Sequence, residues 1–122
     1  MDQCDSKASR MFQATFEHAA VGIVTAKADG TFLSVNQRFC KLLGYSAEEM
    51  LTMTFHAITH ADDIESGREN VVRLWAGEIE QFSMDKRYVR KDGSILWGNV
   101  TVSLMRDEEG TPQYTIAAIL DI

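Results

Sequence analysis

The chain has 122 residues, 45% of them hydrophobic and 25% charged, enough for one globular domain that buries its core without disulfide staples. Its formal net charge of −6 repels phosphate backbones and anionic lipid, so nucleic acid and membrane surfaces are not expected partners. No apolar run is long enough to span a bilayer and MDQCDSKASR lacks the apolar core of a secretory signal; Cys4 and Cys40 read as free thiols in a reducing cytoplasm.

A short helix is expected over Ser6–Ala14, with Met11 and Phe12 available for packing. From Gly22 the period changes, and GIVTAKADGTFLSV reads as two short strands around an Asp29-Gly30 hairpin turn. Asn36 stands where a helix cap belongs, before Gln37–Leu43, whose Phe39, Leu42 and Leu43 recur at helical spacing. Gly44 ends that helix, because glycine takes a left-handed conformation without penalty. Ser46-Ala47-Glu48-Glu49 is a capping box and starts a very short helix through about Leu51.

Thr59 or His60 is expected to cap a longer helix that runs to about Ala76. Asp62, Asp63 and Glu65 suit the positive end of its dipole. Ile64, Val71, Val72 and Trp75 are its expected buried stripe, and Gly77 closes it. The remainder reads as strand. Phe82, Met84 and Tyr88 alternate, Asp92-Gly93 turns the chain, Ile95–Met105 is a long strand, Asp107–Gly110 turns again, and Tyr114–Leu120 is the last strand. Hairpins at both ends with helices between them imply an α+β fold, with one five-stranded antiparallel sheet and the helices on one face.

Nothing in this pattern points to catalysis or to a metal. Asp62/Asp63 and Asp107/Glu108/Glu109 read as dipole complement and solvated turn, with no nucleophile or base converging on them. His56 and His60 are four apart but straddle a helix start, and neither they nor His18 has a cysteine close by.

Several segments resemble the PAS family in its S-box form: FEHAAVGIVTAKADGTFLSVNQRFCKLLGYSAEEM, then ITHADD, then KRYVRKDGSILWGNVTVSLMRDEEG, and the terminal DI. Each fragment alone is weak, and their joint order carries the match. The family usually has proline where this chain has Ala61, and its D-I-T ending is cut after Ile122, as expected of an excised piece. The resemblance implies an N-terminal helical extension over 1–14 and a PAS domain over 15–122. It also implies a cytoplasmic sensory module of a bacterial protein, most often a histidine kinase, next a diguanylate cyclase or phosphodiesterase. Asp121 would pass the signal to an output domain. Relatives pair an acid here, Asp62 or Asp63, with the lysine of the K-D-G turn, Lys91. No cofactor is expected; the family's alternatives are haem on a histidine such as His60 and flavin, for which Cys40 lacks the motif of the light-sensing relatives.

A sheet under helices encloses a cavity suited to a small ligand. The expected lining is Phe39, Leu43, Ile58, Val72, Met84, Tyr88, Gly98, Val100 and Val102. Setting Met84 opposite Val102 and Tyr88 opposite Gly98 turns both apolar faces inward and leaves Asp92-Gly93-Ser94 as the hairpin connection. Trp97 and Thr101 then face outward, with Ile116, Ala118 and Leu120 beside them by the family's register. That apolar surface, with Met11 and Phe12, is the expected interface of a homodimer. The alternative function is a ligand-free dimerisation module that spaces output domains.

Overall fold

The computed structural model describes residues 10, 11 and 14–122. The helix expected over Ser6–Ala14 falls largely outside them, as does Phe12; within them residues 10, 11 and 14–18 are helical. Nine elements follow: β1 (Gly22–Ala26), β2 (Phe32–Val35), α1 (Gln37–Leu43), α2 (Ala47–Met50), a 3-10 turn (Phe55–Ile58), α3 (Ala61–Trp75), β3 (Gln81–Val89), β4 (Ile95–Arg106) and β5 (Pro112–Asp121). The strands form one antiparallel sheet in the order β2-β1-β5-β4-β3, so the last strand lies at its centre between the first and the fourth.

All three hairpins use the same turn. In each, the residue before the loop takes a backbone bond from the loop's last residue, a glycine with φ of 87–93°, and donates one to the residue beyond it: Lys27 with Gly30 and Thr31, Arg90 with Gly93 and Ser94, Asp107 with Gly110 and Thr111. In each hairpin an aspartate accepts from the amide two residues on: Asp29 from Thr31, Asp92 from Ser94 and Asp107 from Glu109. The loop between β3 and β4 is therefore Lys91-Asp92-Gly93, one residue earlier than expected. A three-residue hairpin is a type I turn followed by a left-handed residue, so the glycine takes the third position and not the middle one. The register corrects accordingly: Met84 faces Val100, Lys86 faces Gly98 and Tyr88 faces Leu96. The slip is two residues, which leaves every side chain on its expected face.

Local capping builds the helical layer. Ser46 and Glu49 exchange both bonds of the capping box, and His60, rather than Thr59, caps α3 through Nδ1, which accepts from the Asp62 amide. The buried stripe of α3 is rotated from the expected one. Val72 is 60% exposed, whereas Leu74 is fully buried. The inward line runs through Ile64, Gly67 and Val71 to Leu74, and Gly67, having no side chain, leaves no hydrophobic mark in the sequence. The core joins Phe39, Leu43, Met50, Ile58 and Leu74 from the helices to Val24, Tyr88, Leu96, Val100 and Ile119 from the sheet. The Phe39 ring meets Phe32 and Tyr88 edge-on at 6.0 and 6.1 Å.

The open edge of β3 is closed by the segment entering α3. Thr59 bridges to Tyr88, the His60 amide donates to the Arg87 carbonyl at 2.9 Å, and the Arg87 amide donates to Asp63 at 2.7 Å. At the other end of β3, the Lys91 amide and the Arg90 guanidinium donate to the carbonyls of Leu43 and Leu42, which α1 leaves unpaired at its C-terminus.

Candidate functional site

A cavity of about 50 Å³ lies between the inner face of the sheet and α3. Of the residues expected to line it, Phe39, Ile58, Met84, Tyr88, Val100 and Val102 do so. Leu43 is buried in the core outside it, and Val72 points to solvent. Gly98 lies behind the Tyr88 ring, where a Cβ would stand 3.1 Å from that ring and 3.3 Å from Ile119, so its part is to admit the tyrosine. The volume is several times what one water requires and well below the ~300 Å³ at which drug-sized pockets begin. Haem and flavin do not fit this cavity, and the His60 ring is engaged at the start of α3.

Lys86 is the residue that the sequence reading passed over. It belongs to the inward series Phe82, Met84, Lys86, Tyr88, and this parity was the available signal. Only 7% of it is exposed. Its Nζ donates to Thr59 Oγ1 at 3.0 Å and sits 4.7 Å from the centre of the Tyr88 ring. Burial pulls its pKa down to about 8 despite the charge of Asp63.

The expected pairing of Asp62 or Asp63 with Lys91 does not form. Asp63 is held by Arg87, whose Nε and Nη2 donate to its two oxygens at 3.0 and 2.9 Å. Asp62 is 71% exposed and only 3.8 Å from the same guanidinium. Lys91 pairs instead with Glu49 at 2.7 Å. Lys91 sits at the hairpin tip beside α2, about 13 Å along the strand from Arg87 at ~3.3 Å per residue.

Arg87 holds the Asp63 carboxyl down at about 2. That is below the ~3.9 of an unfolded aspartate, so the stabilisation is complete above pH 4 and is lost as the pH falls through about 2. With solvent screening it amounts to roughly 1–2 kcal/mol. Asp63→Asn should lower the unfolding free energy from urea titration by that much at pH 7, and the gap from wild type should close as the pH falls to about 2. A gap that is constant over this range would show that the ion pair contributes nothing.

A sequence profile described as PAS fold matches residues 32–119. This chain belongs to the PAS family. The domain is similar to the probable diguanylate cyclase DgcE of Escherichia coli (strain K12), with 38% identity over 117 residues, 96% of this chain and 11% of that protein. It is similar to the sensor histidine kinase TmoS of Ectopseudomonas mendocina, with 27% identity over 91% of this chain and 11% of that protein. Among solved structures, the PAS domain of an HTR-like protein from Haloarcula marismortui superposes with a TM-score of 0.81 and 28% identity, covering 99% of this chain and 97% of that one. The PAS domain is thus a sensory module of a multidomain signalling protein, and it spans about a tenth of the length of these two curated relatives.

The outer face of the PAS sheet is apolar along β5 and at Trp97, and polar across β3 and β4, where Gln81 meets Ser103, Ser83 meets Thr101 and Asp85 meets Asn99. Trp97, Leu120 and Ile122 are 48, 51 and 59% exposed, Ile116 farther along β5 opposite Ser103 is half-buried, and the Arg87 guanidinium lies 5.1 Å from the Trp97 ring. Ala118 lies opposite Thr101 on this face, and Asp121 ends β5 opposite Gly98. Met11 is 62% exposed. Among the described residues no helix is long and apolar enough to cross a membrane.

Proposed function

We propose that the PAS domain, over 15–122, takes a small molecule in its cavity and passes the change along β5 through Asp121 to an output domain. The carrying observation is that the cavity wall combines Ile64 and Val71 of α3, Met84 of β3, Val100 of β4 and Ile119 of β5. A ligand filling it favours one spacing of α3 against the sheet, and β5 at the sheet centre reports that population shift. The higher identity to the cyclase, 38% against 27%, favours a diguanylate cyclase output over the histidine kinase that the family resemblance puts first. The setting is the cytoplasm, and the exposure of Trp97, Leu120 and Met11, with Ile116 half-buried, supports a homodimer. This module does no chemistry itself.

A second reading, a ligand-free dimerisation module that spaces output domains, draws on the small size of the cavity. Native mass spectrometry of the purified chain separates the two. The expected result is a dimer whose protomers carry, or take up from a metabolite extract, a small molecule. An empty dimer that takes up nothing would make spacing the function.

A further inference from the structure

The cavity is largely apolar, and at one end it holds a buried cation, Lys86, that, among the described residues, forms no ion pair; the nearby charge of Asp63 acts on it only at a distance. Thr59 accepts one of its three N–H donors and spends its own hydroxyl proton on the Phe55 carbonyl at 2.7 Å. Asp63, the one carboxylate in the cavity wall, has both oxygens committed to Arg87. The remaining titratable side chains of the wall add no negative charge: His56 from the 3-10 turn, Arg68 from α3 and Tyr88 from β3. His56 is itself pushed toward neutrality by burial and by the charges of Lys86 and Arg68, while burial raises Tyr88 further above the physiological range. β4 and β5 contribute Val100, Val102, Thr115, Ala117 and Ile119, none of them charged.

An ammonium buried beyond nine-tenths is costly unless paired, and lysine is almost never placed so without a counter-charge. An apolar residue at position 86 would continue the series Phe82, Met84 and Tyr88 without that penalty. We infer that the counter-charge is the ligand: a small aliphatic monocarboxylate whose carboxylate sits on Lys86 Nζ and whose chain lies against Met84, Val100 and Val102. The cavity volume of about 50 Å³ limits it to a few non-hydrogen atoms. The inference rests on the proposed reading of the cavity as a ligand site and adds the class of ligand. A bound carboxylate stabilises the ammonium, so affinity is constant around neutrality and falls as the pH rises through about 8, where free Lys86 loses its proton.

The test is an NMR titration of the methyl groups of Val100, Val102 and Ile119 with butyrate, its neutral isostere butyramide, and inorganic phosphate. Butyrate is expected to shift these methyls and to bind about tenfold more tightly than butyramide at pH 7, the difference a charge-assisted bond makes. In Lys86→Met, a substitution of similar length that removes the charge, the preference for the acid should vanish while butyramide still binds. Equal binding of acid and amide by the wild type overturns the inference while leaving the cavity reading intact, and needs no variant. Phosphate binding as tightly as butyrate overturns the carboxylate assignment in favour of a free inorganic anion. If neither acid nor amide moves the cavity methyls at millimolar concentration, the ligand-site reading itself fails, and this inference with it.

Discussion

Asn36→Leu is expected to be the most damaging near-isosteric substitution in the domain, lowering stability by roughly 4 kcal/mol, as read from urea midpoints at constant slope. Asn36 is completely buried and uses its whole side-chain amide. Its Oδ1 accepts from the amides of Ile23 and Phe39, both at 3.0 Å, and its Nδ2 donates to the carbonyls of Phe16 and Val21 at 2.8 and 3.0 Å. One side chain thus caps α1, starts β1 and ties down the helical residues 14–18. Leucine fills the volume and takes the amide away from the N–H groups of Ile23 and Phe39 and the carbonyl of Val21, each loss at about 1–3 kcal/mol before water replaces some of it. A total stability of ~5–15 kcal/mol leaves a small margin for such a loss. Asn36→Asp keeps both accepted bonds but sets a carboxylate against two carbonyls. Its folded pKa must therefore lie above the unfolded one, and the variant should recover stability as the pH is lowered toward 4. A leucine variant within about 1 kcal/mol of wild type would show that water replaces the network at little cost.

Ile119→Asp should leave little folded protein at pH 7, whereas Leu120→Asp on the adjacent residue should change monomer stability by less than about 0.5 kcal/mol. Ile119 is 1% exposed, paired with Gly22 and Val100 on the central strand and packed against the cavity. The substitution forfeits ~2–3 kcal/mol of apolar burial and adds the penalty of a carboxylate in the core. Leu120 is 51% exposed on the outer face. Its substitution should instead weaken the proposed dimer, because like charges then meet across a twofold axis. Circular dichroism with denaturant gives the stability and sedimentation gives the oligomer. Equal destabilisation by the two variants would mean that both faces of β5 are buried in the functional state. A Leu120→Asp chain that dimerises unchanged would move the interface elsewhere.

Features that depend on residues a few positions apart were legible along the chain. Asn36 as a cap, Ser46 with Glu49 as a capping box, the Asp-Gly turns and the strand alternation all rest on bonds or parities that close within three or four residues. The same alternation assigns Val100 inward and Trp97 outward whichever register holds, because a slip of two residues changes neither face. For that reason the pattern was blind to the slip, and the third-position glycine of the hairpin decided it. Tertiary structure alone chose the charge partners. Asp63 meets Arg87 because the start of α3 covers the edge of β3, and Lys91 meets Glu49 because the hairpin tip docks on the helices. Neither distance is written in the spacing of the chain. The packing of α3 on the sheet, which exposes Val72 and buries Leu74, was likewise decided by the fold, and Gly67 on the packed face leaves no hydrophobic mark in the sequence. Lys86 shows the division most plainly: its parity placed it on the inner face, but only the folded chain shows a buried ammonium that, among the described residues, donates to a threonine hydroxyl and forms no ion pair.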